Sequence, residues 1–118
     1  MSVYRTTVQS AGSSVDAFGG EMMILFGENA PDTLKDFCYG IDVVPIEKKI
    51  ETGMSISYDG VTYKILAVGD LAERNLVSLG HLTVNFTGTP DECLPGAIVV
   101  EKKDSPDMKI GTVIEINE

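Results

Sequence analysis

Apolar and polar residues alternate most regularly between Met54 and Ile65, on both sides of the dipeptide Asp59-Gly60. Alternation with a period of two is typical of a strand that buries one face. Asp-Gly suits a type I′ turn, whose two central residues need positive φ. The pattern therefore predicts a β-hairpin with one apolar face that covers a core. The residues predicted to pair on that face are Tyr58 with Val61, Ile56 with Tyr63, and Met54 with Ile65.

Further segments have the composition of short strands and are bounded by Gly, Pro or polar residues. Several short strands with turn signals between them are typical of a small barrel or sandwich. The sequence therefore predicts a mainly β fold, a small barrel or sandwich-like domain with two short helices. The predicted strands outside the hairpin are Val3 to Gln9, Glu21 to Phe26, His81 to Phe86, Gly96 to Glu101 and Thr112 to Ile116.

The longer of the two predicted helices covers residues 70–79. Asp70 can cap its first turn, Glu73 stands three residues later as a capping-box partner, and Gly80 can end it in a left-handed conformation. Its apolar residues predict a core-facing stripe. The members of this stripe are Leu71, Ala72, Leu76 and Leu79.

The other predicted helix covers residues 31–38, with Asn29 as a possible cap and Gly40 after its end. Its inward-facing residues are predicted to be Leu34, Phe37 and Cys38.

The chain of 118 residues has room for one domain with a hydrophobic core, and we expect residues 1–118 to form a single domain. Apolar residues make up 43% of the chain and charged residues 23%, which are ordinary values for a globular protein. The composition therefore argues against disorder.

The net charge of -9 repels phosphate backbones and anionic lipid headgroups, so we expect no nucleic-acid partner. The longest apolar runs, such as Met22 to Phe26, fall far short of the roughly 20 residues that cross a bilayer. The first residues lack a secretory signal. We therefore expect no insertion into a membrane and a cytoplasmic location.

The chain has two cysteines, Cys38 and Cys93, and one histidine, His81. A cytosolic chain keeps its cysteines reduced, and we expect both to be free thiols. The usual transition-metal ligand sets cannot be assembled from one histidine without a CxxC or HxxxH spacing. We therefore expect no metal site.

Residues 67–86 carry a family signature in which Ala-Val-Gly, Asn-Leu, Leu-Gly-His and a terminal Phe fall at characteristic spacing. With the N-terminal strand from Tyr4 to Val8, Ala30-Pro31 and Pro95-Gly96, the chain resembles the glucitol/sorbitol-specific IIA component of the bacterial sugar phosphotransferase system nearly end to end. The resemblance implies a domain that takes a phosphoryl group on a histidine from a histidine-containing phosphocarrier protein. It hands the group toward membrane sugar permease subunits and works without metal or organic cofactor.

The resemblance also implies an acceptor stretch directly after the first helix, at Phe37 to Val43, where the family carries its phosphorylated histidine. This stretch has no histidine here. We call residues 37–43 the acceptor stretch below.

His81 is then the candidate phosphoryl acceptor, because one nitrogen of a neutral imidazole is an unprotonated nucleophile. It follows Gly80 at the joint between a predicted helix and a strand, and the alternative is that it only fixes the strand by hydrogen bonds. Cys38 is a weaker candidate, since a thiolate can also carry a phosphoryl group but a buried, neutral thiol is the ordinary case. Asp42 is interpreted as a solvated loop carboxylate that can accept a hydrogen bond from an imidazole or an arginine.

Two functions of different class follow from the sequence. The first is a phosphotransferase component that uses His81, or Cys38, in place of the absent family histidine. The second is a non-catalytic regulatory or small-molecule-binding relative that keeps the fold. In both cases we expect any docking on the phosphocarrier to use the acceptor stretch and the joint at Gly80-His81.

Overall fold

The structure, a computed structural model, describes residues 2–118. Its strands close into one barrel, which confirms the prediction of a mainly β fold and selects the barrel over the sandwich. In chain order the strands are β1 (Ser2–Ala11), β2 (Met22–Phe26), β3 (Cys38–Ile41), β4 (Ser55–Tyr58), β5 (Val61–Val68), β6 (Leu82–Asn85), β7 (Ala97–Val100) and β8 (Val113–Asn117). Around the barrel they follow the order β1-β3-β2-β6-β7-β5-β4-β8.

Two α-helices, α1 (Asp32–Lys35) and α2 (Ala72–Leu79), lie between the strands, with 3₁₀ turns at Val15–Phe18 and Pro90–Glu92. The pairs β2–β3 and β6–β7 are parallel, and the other pairs in the barrel are antiparallel. A parallel pair cannot be joined by a tight turn and needs a crossover connection. α1 lies in the crossover from β2 to β3, and the second 3₁₀ turn lies in the crossover from β6 to β7.

The hairpin formed by β4 and β5 has the predicted turn and register. Asp59 has φ 49° and Gly60 φ 88°, as a type I′ turn requires. Tyr58 pairs with Val61 and Ile56 with Tyr63, and the amide of Ile65 donates to the carbonyl of Met54. The apolar face is buried except for Val61, which is exposed because it stands beside the turn at the rim of the barrel.

Gly60→Val should lower the free energy of unfolding by about 1 kcal/mol or more, because positive φ is costly for a β-branched residue. Open space surrounds this position, so the cost is conformational and not a clash. Gly60→Asn is the matched control, since asparagine tolerates positive φ and should lose less stability. Chemical denaturation measures both changes, and equal midpoints for Gly60→Val and the parent would contradict the turn.

α2 begins later than predicted and is capped differently. Leu71 is its N-cap residue and no side chain caps the first turn, so the predicted capping roles of Asp70 and Glu73 are wrong. The Glu73 carboxylate instead accepts a hydrogen bond of 2.7 Å from the amide of Ile50, which ties the loop after β3 to the helix. Gly80 ends α2 with φ 71°, as predicted.

The predicted core stripe of α2 is half correct. Ala72 and Leu76 are fully buried, but Leu71 and Leu79 are exposed. A helix that contacts the core through one narrow face buries few positions, and residues at the edges of that face stay in solvent.

The first helix is the largest error in the predicted secondary structure. α1 has a single turn with Pro31, not Asn29, at its N-cap, and Leu34 and Phe37 are exposed. Cys38 is buried as predicted, but it begins β3. A strand with a central glycine has weak β propensity, so Gly40 concealed β3 in the sequence. The strand forms because it pairs on both edges, with β1 and with β2.

The core fills the inside of the barrel with residues from all eight strands, together with Ile50, Met54, Ala72, Leu76 and Phe86. Tyr58, Tyr63 and Phe86 form an aromatic cluster with ring centroids 5.0–6.2 Å apart. The hairpin is therefore part of the main core, as its apolar alternation predicted.

Candidate functional site

His81 lies at the joint between α2 and β6. The end of α2 is a left-handed glycine cap of the αL type, in which the amide of Gly80 donates to the carbonyl of Leu76, and the amide of His81 donates to that of Asn75. Glycine suits the left-handed residue of this motif. The motif turns the chain sharply, so His81 leaves the helix and immediately faces β2.

Two contacts fix the imidazole of His81. Its ring stacks on Phe26, with centroids 4.4 Å apart and planes 33° from parallel. Its Nδ1 lies 3.3 Å from the carbonyl oxygen of Leu25. A carbonyl can only accept, so Nδ1 carries the proton and donates. In the neutral ring the lone pair is then on Nε2, which has no hydrogen-bond partner among residues 2–118.

This imidazole lies on the outer surface of the barrel. Successive side chains of a strand point to opposite faces of the sheet. In β2, Met23 and Leu25 belong to the core, whereas Phe26 is outside the core cluster. His81 is half-buried over Phe26. The protein therefore holds one side of the imidazole and leaves the other side open. This arrangement is compatible with His81 as a phosphoryl acceptor and with His81 as a residue that only fixes the strand by hydrogen bonds.

The acceptor stretch lies one strand away from His81. Leu82 of β6 pairs with Leu25, which brings His81 opposite Phe26, and Phe26 pairs in turn with Gly40 of β3. Strands are spaced about 4.8 Å apart, so His81 and Gly40 are separated by about 10 Å across the barrel surface. The structure therefore brings together the two segments that the sequence marked as candidates.

A close contact between two glycines connects these segments. The amide of Gly27 donates to the carbonyl of Leu79 over 2.9 Å. A Cβ atom at Gly27 would lie 2.6 Å from that carbonyl oxygen and 2.6 Å from Cγ2 of Val43, and a Cβ at Gly80 would lie 2.8 Å from the nitrogen of Gly27. Val43 thus covers the point where the loop after β2 meets the end of α2. This contact could not be predicted from the sequence, because its members come from three separate segments.

The residues of the acceptor stretch point in different directions. Ile41 is buried in the core, and Gly40 faces outward with Ser10 Oγ where its Cβ would be. The carboxylate of Asp42 accepts a hydrogen bond of 2.9 Å from Gln9, and its backbone carbonyl accepts one of 2.7 Å from Thr6 Oγ1. Asp42 is an exposed loop residue, as predicted, but its carboxylate contacts Gln9 and not an imidazole.

A groove of about 680 Å³ runs beside the acceptor stretch. Its charged lining residues are Glu28 and Asp42, and neither lysine nor arginine lines it within the described chain. The groove is therefore negative and favours positively charged groups. Its complete lining is Gln9, Ser10, Glu28, Gly40, Ile41, Asp42, Val43 and Val44.

The two cysteines are free thiols, as predicted. Cys38 is buried beneath α1, its Sγ donates to the carbonyl of Leu34 over 3.1 Å, and burial raises its pKa. Burial, and then the charge of Asp70, raise the pKa of Cys93. Both thiols are thus held in the neutral, weakly nucleophilic form near neutral pH.

Among the helices of residues 2–118, none is long and apolar enough to cross a lipid bilayer.

Taken together, the fold and the site define a small β-barrel protein that holds one imidazole on its outer surface, beside a groove lined by carboxylates. The chain belongs to the PTS system glucitol/sorbitol-specific IIA component family, whose sequence model matches residues 3–115. This finding confirms the resemblance seen in the sequence.

Relatives agree with this assignment over nearly the whole chain. The glucitol/sorbitol-specific EIIA components of the phosphotransferase systems of Escherichia coli K12 and Shigella flexneri are each 32% identical over 114 residues, which cover 96% of this chain and 93% of theirs. The crystal structure of a PTS system IIA component from Enterococcus faecalis V583 superimposes with a TM-score of 0.83 at 26% identity. That match covers 98% of this chain and all of the other.

Proposed function

We propose that this chain is a cytoplasmic IIA component that receives a phosphoryl group from a histidine-containing phosphocarrier protein on Nε2 of His81. It then passes the group toward membrane sugar permease subunits. The observation that carries this proposal is the hydrogen bond from Nδ1 to the carbonyl of Leu25, which leaves the lone pair on Nε2. Membership of the family supplies the two classes of partner.

The transfer step follows from this tautomer. The lone pair on Nε2 attacks the phosphorus of the carrier's phosphohistidine, a new N–P bond forms, and the N–P bond to the carrier's imidazole breaks with its electron pair. Nδ1 keeps its proton, so the His81 ring becomes a positively charged phosphoimidazolium. The carbonyl oxygen of Leu25 faces that proton and stabilises the charge.

A second candidate function is docking without transfer, and the charge of the groove favours it. Sites of phosphoryl transfer collect cations or hydrogen-bond donors around the phosphoryl oxygens. Here the groove presents Glu28 and Asp42. The acceptor stretch also contains no histidine. A non-catalytic relative would keep the fold and the docking surface and lack only the nucleophile.

Labelling of the purified chain tests the two functions against each other. Incubation with phosphoenolpyruvate, the first enzyme of the system and the phosphocarrier should give a phosphoryl adduct that is labile in acid and stable in base, as a phosphoramidate is. We expect slow labelling, because the adjacent groove repels the incoming phosphoryl group. A chain that binds the carrier but takes up no label would contradict transfer and support the second function.

A further inference from the structure

Exposed leucines mark one edge of α2. Leu71, Asn75 and Leu79 recur every four residues and therefore line up along one side of the helix. The two leucines are 43% and 47% exposed, although both were predicted to face the core. Between them the helix rises about 12 Å. This row leaves apolar surface in solvent next to the proposed acceptor, His81.

The row extends past both ends of α2. At the start of the helix, the amide of Leu71 donates to the carbonyl of Pro95 over 2.8 Å, which brings the 64% exposed Leu94 alongside. At the other end, the 47% exposed Val43 covers the contact between Gly27 and Gly80. We call this row the α2 strip; its members are Leu94, Leu71, Asn75, Leu79 and Val43.

Carboxylates flank the α2 strip at both ends. Exposed Asp70, Asp91 and Glu92 lie in sequence next to Leu71 and Leu94, and Glu28 and Asp42 line the groove next to Val43. One exposed cation, Arg74, is on the same helix. A second copy of this chain, with its net charge of -9, would be repelled from such a surface. A partner with an apolar centre and basic residues around it complements this pattern.

We propose that the α2 strip is part of the surface on which the phosphocarrier docks, so that the interface runs from the acceptor stretch along α2 to Leu94. This inference rests on the proposed function. The strip adds exposed apolar surface to the groove, and apolar residues make up the buried centre of a protein–protein interface while charged residues form its rim. Such docking requires that the carrier's face at the Gly80-His81 joint be apolar at its centre and basic around it.

Titration of the isotope-labelled chain with the unphosphorylated phosphocarrier tests this surface. Amide shifts should appear at residues 71–79 and 94 as well as at 37–43 and 80–81. Leu94→Ser and Leu71→Ser should each weaken binding about fivefold to tenfold, because each removes a solvent-exposed apolar contact from the interface. Ile110→Ser is the matched control for Leu94→Ser, since Ile110 is 68% exposed, close to the 64% of Leu94, and lies outside the strip. It should bind as the parent chain does.

The charge at the Leu94 end gives an independent measurement. Asp70→Asn should slow association with the carrier at low salt and make the rate less sensitive to added salt. Asp59→Asn, in the turn of the hairpin, is the control and should leave both unchanged, because asparagine also suits a type I′ turn. Amide spectra of the free variants establish that each is folded.

The other outcomes would overturn the inference. Amide shifts confined to residues 37–43 and 80–81, with Leu94→Ser binding as the parent does, would show that the α2 strip is not part of the interface. The proposed function would be unaffected. Shifts at residues 71–79 that grow with the concentration of the chain alone would assign the strip to a second copy. Absence of shifts at every residue would reject both the strip and the proposed docking on the carrier.

Discussion

His81→Ala should reduce phosphoryl labelling of the chain by about 100-fold or more, down to the background of the assay. No other imidazole exists in the sequence, so no neighbouring histidine can replace the lost nucleophile. The measurement is the acid-labile, base-stable label transferred from the phosphocarrier. His81→Gln should fail equally, because a side-chain amide can donate to the carbonyl of Leu25 but has no nucleophilic nitrogen.

Cys38→Ser serves as the control for this experiment. The thiol of Cys38 is buried and donates a hydrogen bond to the carbonyl of Leu34, so its replacement should leave labelling unchanged. Label that persists in His81→Ala and disappears in Cys38→Ser would transfer the acceptor role to the cysteine. Label that persists in both variants would contradict a role for either side chain.

Gly27→Ala should lower the free energy of unfolding by about 2 kcal/mol and disturb His81 as well. The new Cβ would stand 2.6 Å from the carbonyl oxygen of Leu79, a backbone atom that can move only with the end of α2. Overpacking of this kind costs about 1–3 kcal/mol, and loss of the hydrogen bond from Gly27 to Leu79 adds to it. Chemical denaturation measures the loss, and the ring nitrogen chemical shifts of His81 report the displaced imidazole.

Gly96→Ala is the control at a glycine without a clash. Its Cβ would meet Asn75 at an ordinary 3.5 Å, and its φ is not positive, so stability should stay equal or rise by about 0.5 kcal/mol. Val43→Ala combined with Gly27→Ala separates the two contacts at Gly27. Full recovery of stability in that double variant would show that the Val43 methyl, and not the Leu79 carbonyl, limits this position.

The hairpin shows why some of the fold was readable from the sequence. Its register depends on an Asp-Gly turn and on alternation within twelve neighbouring residues, so all of the information is local. The end of α2 is equally local, because a left-handed glycine is required at one position of the cap. Such signals remain valid whatever the rest of the chain does.

The stretch from Pro31 to Ile41 shows where prediction of secondary structure from the local sequence fails. Its residues are compatible with a helix that continues to Cys38, but the chain leaves the helix after one turn and enters β3. The gain comes from hydrogen bonds to β1 and β2, strands that lie 12 or more residues earlier in the chain. Asp70 and Glu73 fail for a related reason, since the amide of Ile50 competes for the Glu73 carboxylate that a capping box would use.

The sequence by itself determined the family, the mainly β class, the hairpin and the presence of one imidazole at the end of a helix. These properties depend on residue types and short spacings. Only the tertiary structure decided the closure of the barrel, the position of His81 over Phe26, the tautomer set by Leu25 and the proximity of Val43 to Gly27 and Gly80. These contacts join segments far apart in the chain, and their partners are chosen by packing and hydrogen bonding across the whole barrel.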